Sequence, residues 1–309
     1  MLRIGIDTGG TFTDFVAVDG ERVQVFKLPS TPAEPSKAVL EGVARVVGER
    51  EGFLLQLGST VATNAFLERK GAKCVLVTTQ GFEDILEIGR QNRPGLFHLE
   101  SSRPEPLVPS NLRIGVKERM LFDGTPLVTL ENKSLDWLKG KIQQLKPESV
   151  AVVLLYSFVN AENELRIGEA LQDFGIPVSL SHKVLPEFRE FERTSTTVIN
   201  AYVQPIMSGY LSALREDELV RRGRFTIMQS NGGSISPESA EREPVRTLFS
   251  GPAGGVVGAF EVAQRAGYDR IITLDMGGTS TDVCLCDGKI ETTHEASIDH
   301  HPISIQMIG

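Results

Sequence analysis

Ile4-Gly5-Ile6-Asp7-Thr8-Gly9-Gly10-Thr11-Phe12-Thr13-Asp14 returns late in the chain as Thr273-Leu274-Asp275-Met276-Gly277-Gly278-Thr279-Ser280-Thr281-Asp282. Both stretches contain the pattern D-x-G-G-T-x-T-D. The agreement extends outward. Each copy follows a short apolar run, at Leu2 to Ile6 and at Ile271 to Leu274, and leads into another, at Phe15 to Val18 and at Val283 to Cys286. Each then reaches an Asp-Gly pair, Asp19-Gly20 or Asp287-Gly288, the strongest short hairpin signal. A strand–turn–strand–hairpin unit used twice predicts two related lobes.

The turn has a chemical reading. Paired glycines let the backbone bend sharply and bring N–H groups close to an anion, and threonine hydroxyls add donors there. A carboxylate at the end of the preceding strand would repel a phosphate unless a divalent cation lay between them. Two such turns are expected to grip a polyphosphate from both sides. A pair of plain hairpins with polar tips is the bland alternative, and the repetition argues against it. No G-x-x-x-x-G-K-[ST] run occurs, so this is not a P-loop.

Between the copies, strands alternate with helices, which predicts an α/β class. A helix is expected after Pro35 with Val39, Val43, Val46 and Val47 on one face. Strands are expected at Leu54 to Leu57, Cys74 to Val77, within Val150 to Phe158, at Val178 to Leu180 and at Phe225 to Gln229. Helices are expected at about Ala62 to Arg69, Glu162 to Phe174 and, bent at Pro205, Glu190 to Leu219. Another opens at Ser250-Gly251-Pro252-Ala253-Gly254-Gly255. Residues 82–147 read as a loop-rich insertion with a small β element. The expected domains are 1–185 and 186–309.

With 309 residues the chain has room for two domains. A net charge of −8 excludes a broad basic surface for nucleic acid. No apolar run is long enough to span a membrane, and none forms a signal region, so the cytoplasm is the default. Cys284 and Cys286, two apart on a strand, read with Cys74 as core thiols. Asp299-His300-His301 could suggest metal ligands. On an extended strand, however, the two histidines point to opposite faces and would need a kink to share an ion.

The paired turns resemble the phosphate hairpins of the actin, heat-shock ATPase and sugar-kinase superfamily. That resemblance implies duplicated ribonuclease-H-like domains facing each other across an ATP cleft. It implies Asp7 and Asp275 as catalytic residues and, with Asp282, as ligands of Mg2+. It also implies phosphate contacts from Gly9, Gly10, Thr11, Thr13, Gly277, Gly278, Thr279 and Ser280.

Further stretches narrow the resemblance: Gly58-Ser59-Thr60-Val61-Ala62-Thr63-Asn64-Ala65, Thr78-Thr79-Gln80-Gly81-Phe82-Glu83-Asp84, Leu86-Glu87-Ile88-Gly89-Arg90-Gln91-Asn92-Arg93-Pro94 and Ser250 to Gly255. Together with the opening strand and turn they are similar to the A-type (HyuA-like) subunit of the hydantoinase/5-oxoprolinase family. The resemblance implies ATP-driven phosphorylation of a carbonyl oxygen and ring opening of a cyclic amide such as a hydantoin or 5-oxoproline. The cofactors are then ATP and Mg2+, with a monovalent cation as a further candidate. A HyuB-type B subunit or fused B domain is the expected partner, in a homo-oligomer. Asn64, Arg90, Arg93, Ser250 and Gly251 are the candidate substrate contacts, the arginines because a guanidinium fork suits a carboxylate. Bracing of a long loop is the competing role for those arginines. An acetone-carboxylase-like subunit, a small-molecule kinase and a chaperone-like nucleotide-switched module remain as alternative functions. The family's A subunit is about twice as long, so the second lobe is expected to be truncated and the isolated chain to bind ATP poorly.

Overall fold

The computed structural model describes residues 1–92, 105–276 and 281–309. It opens with strands β1 (Arg3–Thr8), β2 (Phe12–Asp19) and β3 (Arg22–Pro29), helix α1 (Pro35–Val47), strand β4 (Leu54–Ser59) and helix α2 (Val61–Leu67). Next come β5 (Cys74–Thr79), α3 (Ile85–Ile88), β6 (Arg113–Val116), β7 (Arg119–Met120), β8 (Pro126–Val128), α4 (Asn132–Leu145), β9 (Ser149–Val153), α5 (Glu162–Leu171), β10 (Val178–Leu180) and α6 (Ser181–Val184). The long helix α7 (Glu190–Glu216) is followed by α8 (Glu218–Arg221), β11 (Arg224–Met228), β12 (Ser234–Ile235), α9 (Pro237–Arg242) and α10 (Ser250–Arg265). The last strands are β13 (Arg270–Met276), β14 (Thr281–Asp287), β15 (Thr292–Thr293), β16 (Ala296–Ile298), β17 (His301–Ile303) and β18 (Met307–Ile308). The class is α/β with mixed sheets. Among the described residues no helix is long and apolar enough to cross a membrane.

The chain forms two compact units that are not consecutive halves. The first comprises 1–69, 206–294 and 305–309; the second comprises 70–205 and 295–304.

In the first unit a six-stranded sheet runs β12-β11-β4-β1-β2-β3. β1, β2 and β3 form an antiparallel meander, while β4 lies parallel to β1, and β11 parallel to β4. A parallel partner needs a crossover, which α1 supplies between β3 and β4. Alternation in β1 sends Ile4 and Ile6 inward, and β2 sends Phe15 and Ala17 to the same face. Helix α1 covers that face with Val39, Val43 and Val47, four residues apart and fully buried. Phe15 stacks on Phe26 at 4.8 Å, and a Cβ on Gly42 would lie 2.0 Å from the Phe15 ring. Glycine at 42 is therefore what lets the helix sit on the aromatic pair.

Strands β13 and β14 repeat the first hairpin in register. Asp275 faces Asp282 as Asp7 faces Asp14. The covered face differs. Ile4, Ile6, Phe15 and Ala17 are no more than 4% exposed, whereas the matching Ile272, Leu274, Val283 and Leu285 are 62–70% exposed. The second hairpin turns its other face to the core, where Cys284 and Cys286 pack with Val256 and Phe260 of α10.

The second unit holds a four-stranded parallel sheet, β10-β9-β5-β6. Its central strands, β5 and β9, are buried along their whole length, as parallel strands covered on both faces are. Glu164 is fully buried yet satisfied. It accepts hydrogen bonds from the Leu154 N–H at 3.0 Å, the Ser181 hydroxyl at 2.6 Å and the His182 N–H at 3.0 Å. The stretch read as loop-rich contributes β6 to this sheet and the helix α4, anchored by Leu138 and Ile142; β7 and β8 are the small β element. Helix α4 escaped sequence reading because Lys, Gln and Gly separate its few apolar residues.

Gly42→Ala is expected to lower stability by about 1–3 kcal/mol through overpacking against Phe15. A urea midpoint equal to that of the wild type would show that α1 can shift freely on the sheet.

Candidate functional site

The first glycine turn is held from below. The Gly9 N–H donates to the Phe12 carbonyl at 3.0 Å, and the Ser30 N–H donates to the Thr11 carbonyl at 2.9 Å. The Ser30 hydroxyl donates to the Gly9 carbonyl at 2.7 Å and lies 3.0 Å from the Thr13 hydroxyl. Thr13 is fully buried, so its hydroxyl braces the turn. This corrects the expectation that Thr13 contacts phosphate. Among the described residues, the N–H groups of Gly10 and Thr11 at the tip have no hydrogen-bond partner. They are the donors the turn can offer to an anion.

Asp7 ends β1 beside two glycines. A Cβ on Gly58 would lie 3.3 Å from Asp7 Oδ1, and one on Gly251 would lie 3.0 Å from the same oxygen. Four residues on, the Gly255 position comes within 3.9 Å of Asp275 Oδ2. The first two turns of α10 thus present Gly251 to one aspartate of the repeat and Gly255 to the other, as the i,i+4 spacing of a helix dictates. That helix end carries partial positive charge and N–H groups without intrahelical partners.

The helix start is fixed by its neighbours. Phe249 adopts a left-handed conformation, φ 56°, that bulky residues rarely take, and its N–H donates to the Thr63 hydroxyl at 3.1 Å. The Ser250 hydroxyl accepts from the Ser59 N–H at 3.2 Å and donates to the Ser59 carbonyl at 3.3 Å, completely buried. Ser250 therefore ties α10 to the end of β4 and is closed to a substrate, a second correction. Thr60 donates its hydroxyl to the Thr8 carbonyl at 2.9 Å, and Asn64 donates to Thr60 at 3.2 Å with its amide nitrogen 3.8 Å from the Gly10 Cβ position. Asn64 thus stands at the tip of the turn.

Tyr210 was not foreseen. Its hydroxyl lies 3.4 Å from the Thr8 hydroxyl, under the strand end that carries Asp7, and burial pushes its pKa up to about 12. The signal in the sequence was one of two tyrosines on the buried face of a long helix, with nothing to distinguish it from Tyr202.

The electrostatics are those of crowded like charges. Asp7 keeps water on one side but is packed by protein on the others. That desolvation, then Asp14, then Asp275, raise its pKa. Desolvation and then Asp275 raise that of Asp282. Among the described residues, no three His, Cys, Asp or Glu side chains are grouped closely enough to hold a metal by themselves. A magnesium ion here would use one or two carboxylates and take its other oxygens from water and phosphate, its usual habit. The set of Asp7, Asp275 and Asp282 is thus not a closed three-ligand centre.

Gly277, Gly278, Thr279, Ser280 and Arg93 lie outside the described residues. Arg90 belongs to the second unit, where its Nε and Nη2 both bond the Glu192 carboxylate at 2.7 Å. It braces its loop, so its fork is not open to a substrate anion. Asp299 and His300 form a two-residue turn with φ of 46° and 67° between β16 and β17.

Residues 3–175 match the hydantoinase/oxoprolinase N-terminal region, and residues 193–309 match the hydantoinase/oxoprolinase family. Caprolactamase subunit alpha of Pseudomonas jessenii is 34% identical over 326 residues, covering 99% of this chain and 46% of that protein. The 5-oxoprolinase of Dictyostelium discoideum is 30% identical over 352 residues, covering 96% and 28%. A nucleotide-free structure of acetone carboxylase, described as ATP-dependent, superposes with a TM-score of 0.88 at 29% identity, covering 99% of this chain and 47% of that one. The chain spans less than half the length of these relatives.

Because folding raises the pKa of Asp7 and Asp282, the native state holds protons that the unfolded chain releases. Stability contributed this way is present at low pH. It falls as pH rises above the ordinary aspartate value of about 3.9 and through the raised values. Asp7→Asn is expected to flatten that fall in thermal melts taken from about pH 4 to about pH 7. An unchanged pH profile would remove Asp7 from the repulsive cluster.

Proposed function

The chain belongs to the hydantoinase/oxoprolinase family, and from that premise we propose that it is the A-type component of an ATP-dependent cyclic amide hydrolase. The observation that carries the proposal is the repeated hairpin: two aspartates in the same register, Asp7 and Asp275, each beside a glycine on the first two turns of α10. The strand order β3-β2-β1-β4-β11, with the first three antiparallel, supports a ribonuclease-H-like reading of the first unit. ATP-dependent relatives support ATP as the co-substrate.

The residues fit a magnesium-bound polyphosphate in three respects. Carboxylates crowded enough to raise each other's pKa call for a positive charge. Glycines at 58 and 251 leave room where any Cβ would press on Asp7. The donors at Gly10 and Thr11 and the N-terminal end of α10 suit an anion. When bound, ATP supplies the phosphoryl group that makes a resistant amide carbonyl a better electrophile. The protein's share is positioning and charge neutralisation. Asp7 and Asp275 hold the cation. Gly9 to Thr11 and the Gly251 turn orient the phosphates. Ser59, Ser250 and Tyr210 fix the elements that carry them. A B-type component finishes the hydrolysis.

A second reading follows from the likeness to acetone carboxylase: phosphorylation of an enol oxygen of a ketone. Phosphate release by the full-length protein, measured with hydantoin, 5-oxoproline, a simple lactam and acetone, separates the two. Stimulation by a cyclic amide is expected; stimulation by acetone alone would select the second reading. Asp7→Asn and Asp275→Asn are each expected to lower turnover by about a hundredfold or more, as removal of a charge-stabilising group does, with an unchanged circular dichroism spectrum. Wild-type turnover in either variant would exclude that residue. Gly251→Ala is expected to weaken nucleotide binding by crowding Asp7, seen as a raised KM for ATP; an unaltered KM would exclude this turn from the phosphate site.

A further inference from the structure

The second unit contains a cavity of about 540 Å³ between the loop after α3, the start of α7 and the β16–β17 turn. That volume falls in the range of small-molecule sites. Its walls are apolar at Leu86, Phe191 and Val198 and polar at Gln91, Ser195 and His300. Gly89, with φ 53°, brings the loop onto Phe191; a Cβ there would lie 3.3 Å from the ring.

Ser195 points to a ligand. It is 2% exposed, and its hydroxyl has no hydrogen-bond partner among the described residues. Its neighbours behave differently: Thr194 and Thr197 donate to the carbonyls of Glu190 and Arg193, one turn back, at 2.6 and 2.7 Å. The hydroxyl reaches the cavity surface and is left to bond whatever enters there.

The charges define the ligand. Arg90, an arginine at the cavity wall, is bound on two nitrogens by Glu192, a carboxylate only 13% exposed. Glu87, also on the wall, pairs with Arg113 at 2.9 Å. Glu190 and Glu295 add negative potential at Arg90. Among the described residues, an anion entering would meet a guanidinium and two carboxylates that are already paired, so this wall favours an uncharged molecule.

We propose that this cavity binds a small uncharged cyclic amide, and that Glu192 sets the selectivity by occupying the Arg90 fork that would otherwise hold a substrate carboxylate. The Ser195 hydroxyl both donates and accepts, matching the adjacent C=O and N–H of a lactam, and Phe191 gives the ring a flat wall. The proposal rests on the cyclic-amide reading above and selects simple lactams over 5-oxoproline within it.

The test uses 2-pyrrolidinone and 5-oxoproline, one ring without and with a carboxylate, measured on the full-length protein without nucleotide by ligand-observed NMR titration. Wild type is expected to bind 2-pyrrolidinone roughly tenfold more tightly than 5-oxoproline, the size of one charge-assisted contact. Glu192→Gln is expected to reverse or erase that ratio by freeing Arg90. Ser195→Ala, which leaves the ion pairs intact, is expected to weaken 2-pyrrolidinone about fivefold to tenfold. Tighter 5-oxoproline binding by wild type, an unchanged ratio in Glu192→Gln, or an unaffected Ser195→Ala would overturn the proposal. So would 2-pyrrolidinone failing to bind. Its failure is distinguishable from that of the proposed function. Amide-stimulated phosphate release without this binding rejects only the cavity; binding without any stimulation rejects only the ATP-dependent hydrolysis.

Discussion

Mutual repulsion among carboxylates is the constraint around which the first unit is arranged. Asp7, Asp14, Asp275 and Asp282 come from two hairpins far apart in sequence; folding strips water from Asp7 and Asp282 and sets them near other carboxylates, and the two effects in that order raise their pKa. A fold accepts such a cluster only if something else offsets its cost. The surroundings show how it is held. Glycines at 58 and 251 give Asp7 room, and hydroxyls at Thr13, Ser30, Ser59 and Ser250 fix the backbone on which it stands. The rigid part of the site is neutral and fully bonded; the charged part is left to be completed by what binds.

The same logic is inverted in the second unit. There the ionic groups at the cavity wall are already matched, Arg90 with Glu192 and Glu87 with Arg113. The group in want of a partner is a neutral hydroxyl. One unit thus offers unbalanced charge and the other balanced charge with unbalanced hydrogen bonding. The magnesium polyphosphate and the neutral ring proposed above are the ligands chosen to complement these two surfaces.

Much of this was legible in the sequence because it depends on local pattern. Short apolar runs ending at an Asp-Gly pair marked β1 and β2, the spacing of valines marked α1, and the repeated octapeptide marked a hairpin whose register the structure reproduces at Asp7–Asp14 and Asp275–Asp282. What failed depends on partners distant along the chain. Thr13, Ser250 and Arg90 are good ligand-binding residues by type, but Ser30, Ser59 and Glu192 occupy them. No local signal reports such a pairing. Tyr210 and Ser195 were missed for the converse reason: on a long buried helix, a tyrosine or serine reads as ordinary core until the strand end or cavity it faces is known.

The outward face of the second hairpin has a practical consequence. Ile272, Leu274, Val283 and Leu285 form an oily patch on a two-stranded ribbon, where the first copy hides the matching residues under a helix. Ribbons of this kind adhere to one another and to other apolar matter. The net charge of −8 opposes such adhesion only as long as salt does not screen it. Adhesion through this ribbon is therefore tied to ionic strength: dilute buffer opposes it, and concentrated salt favours it.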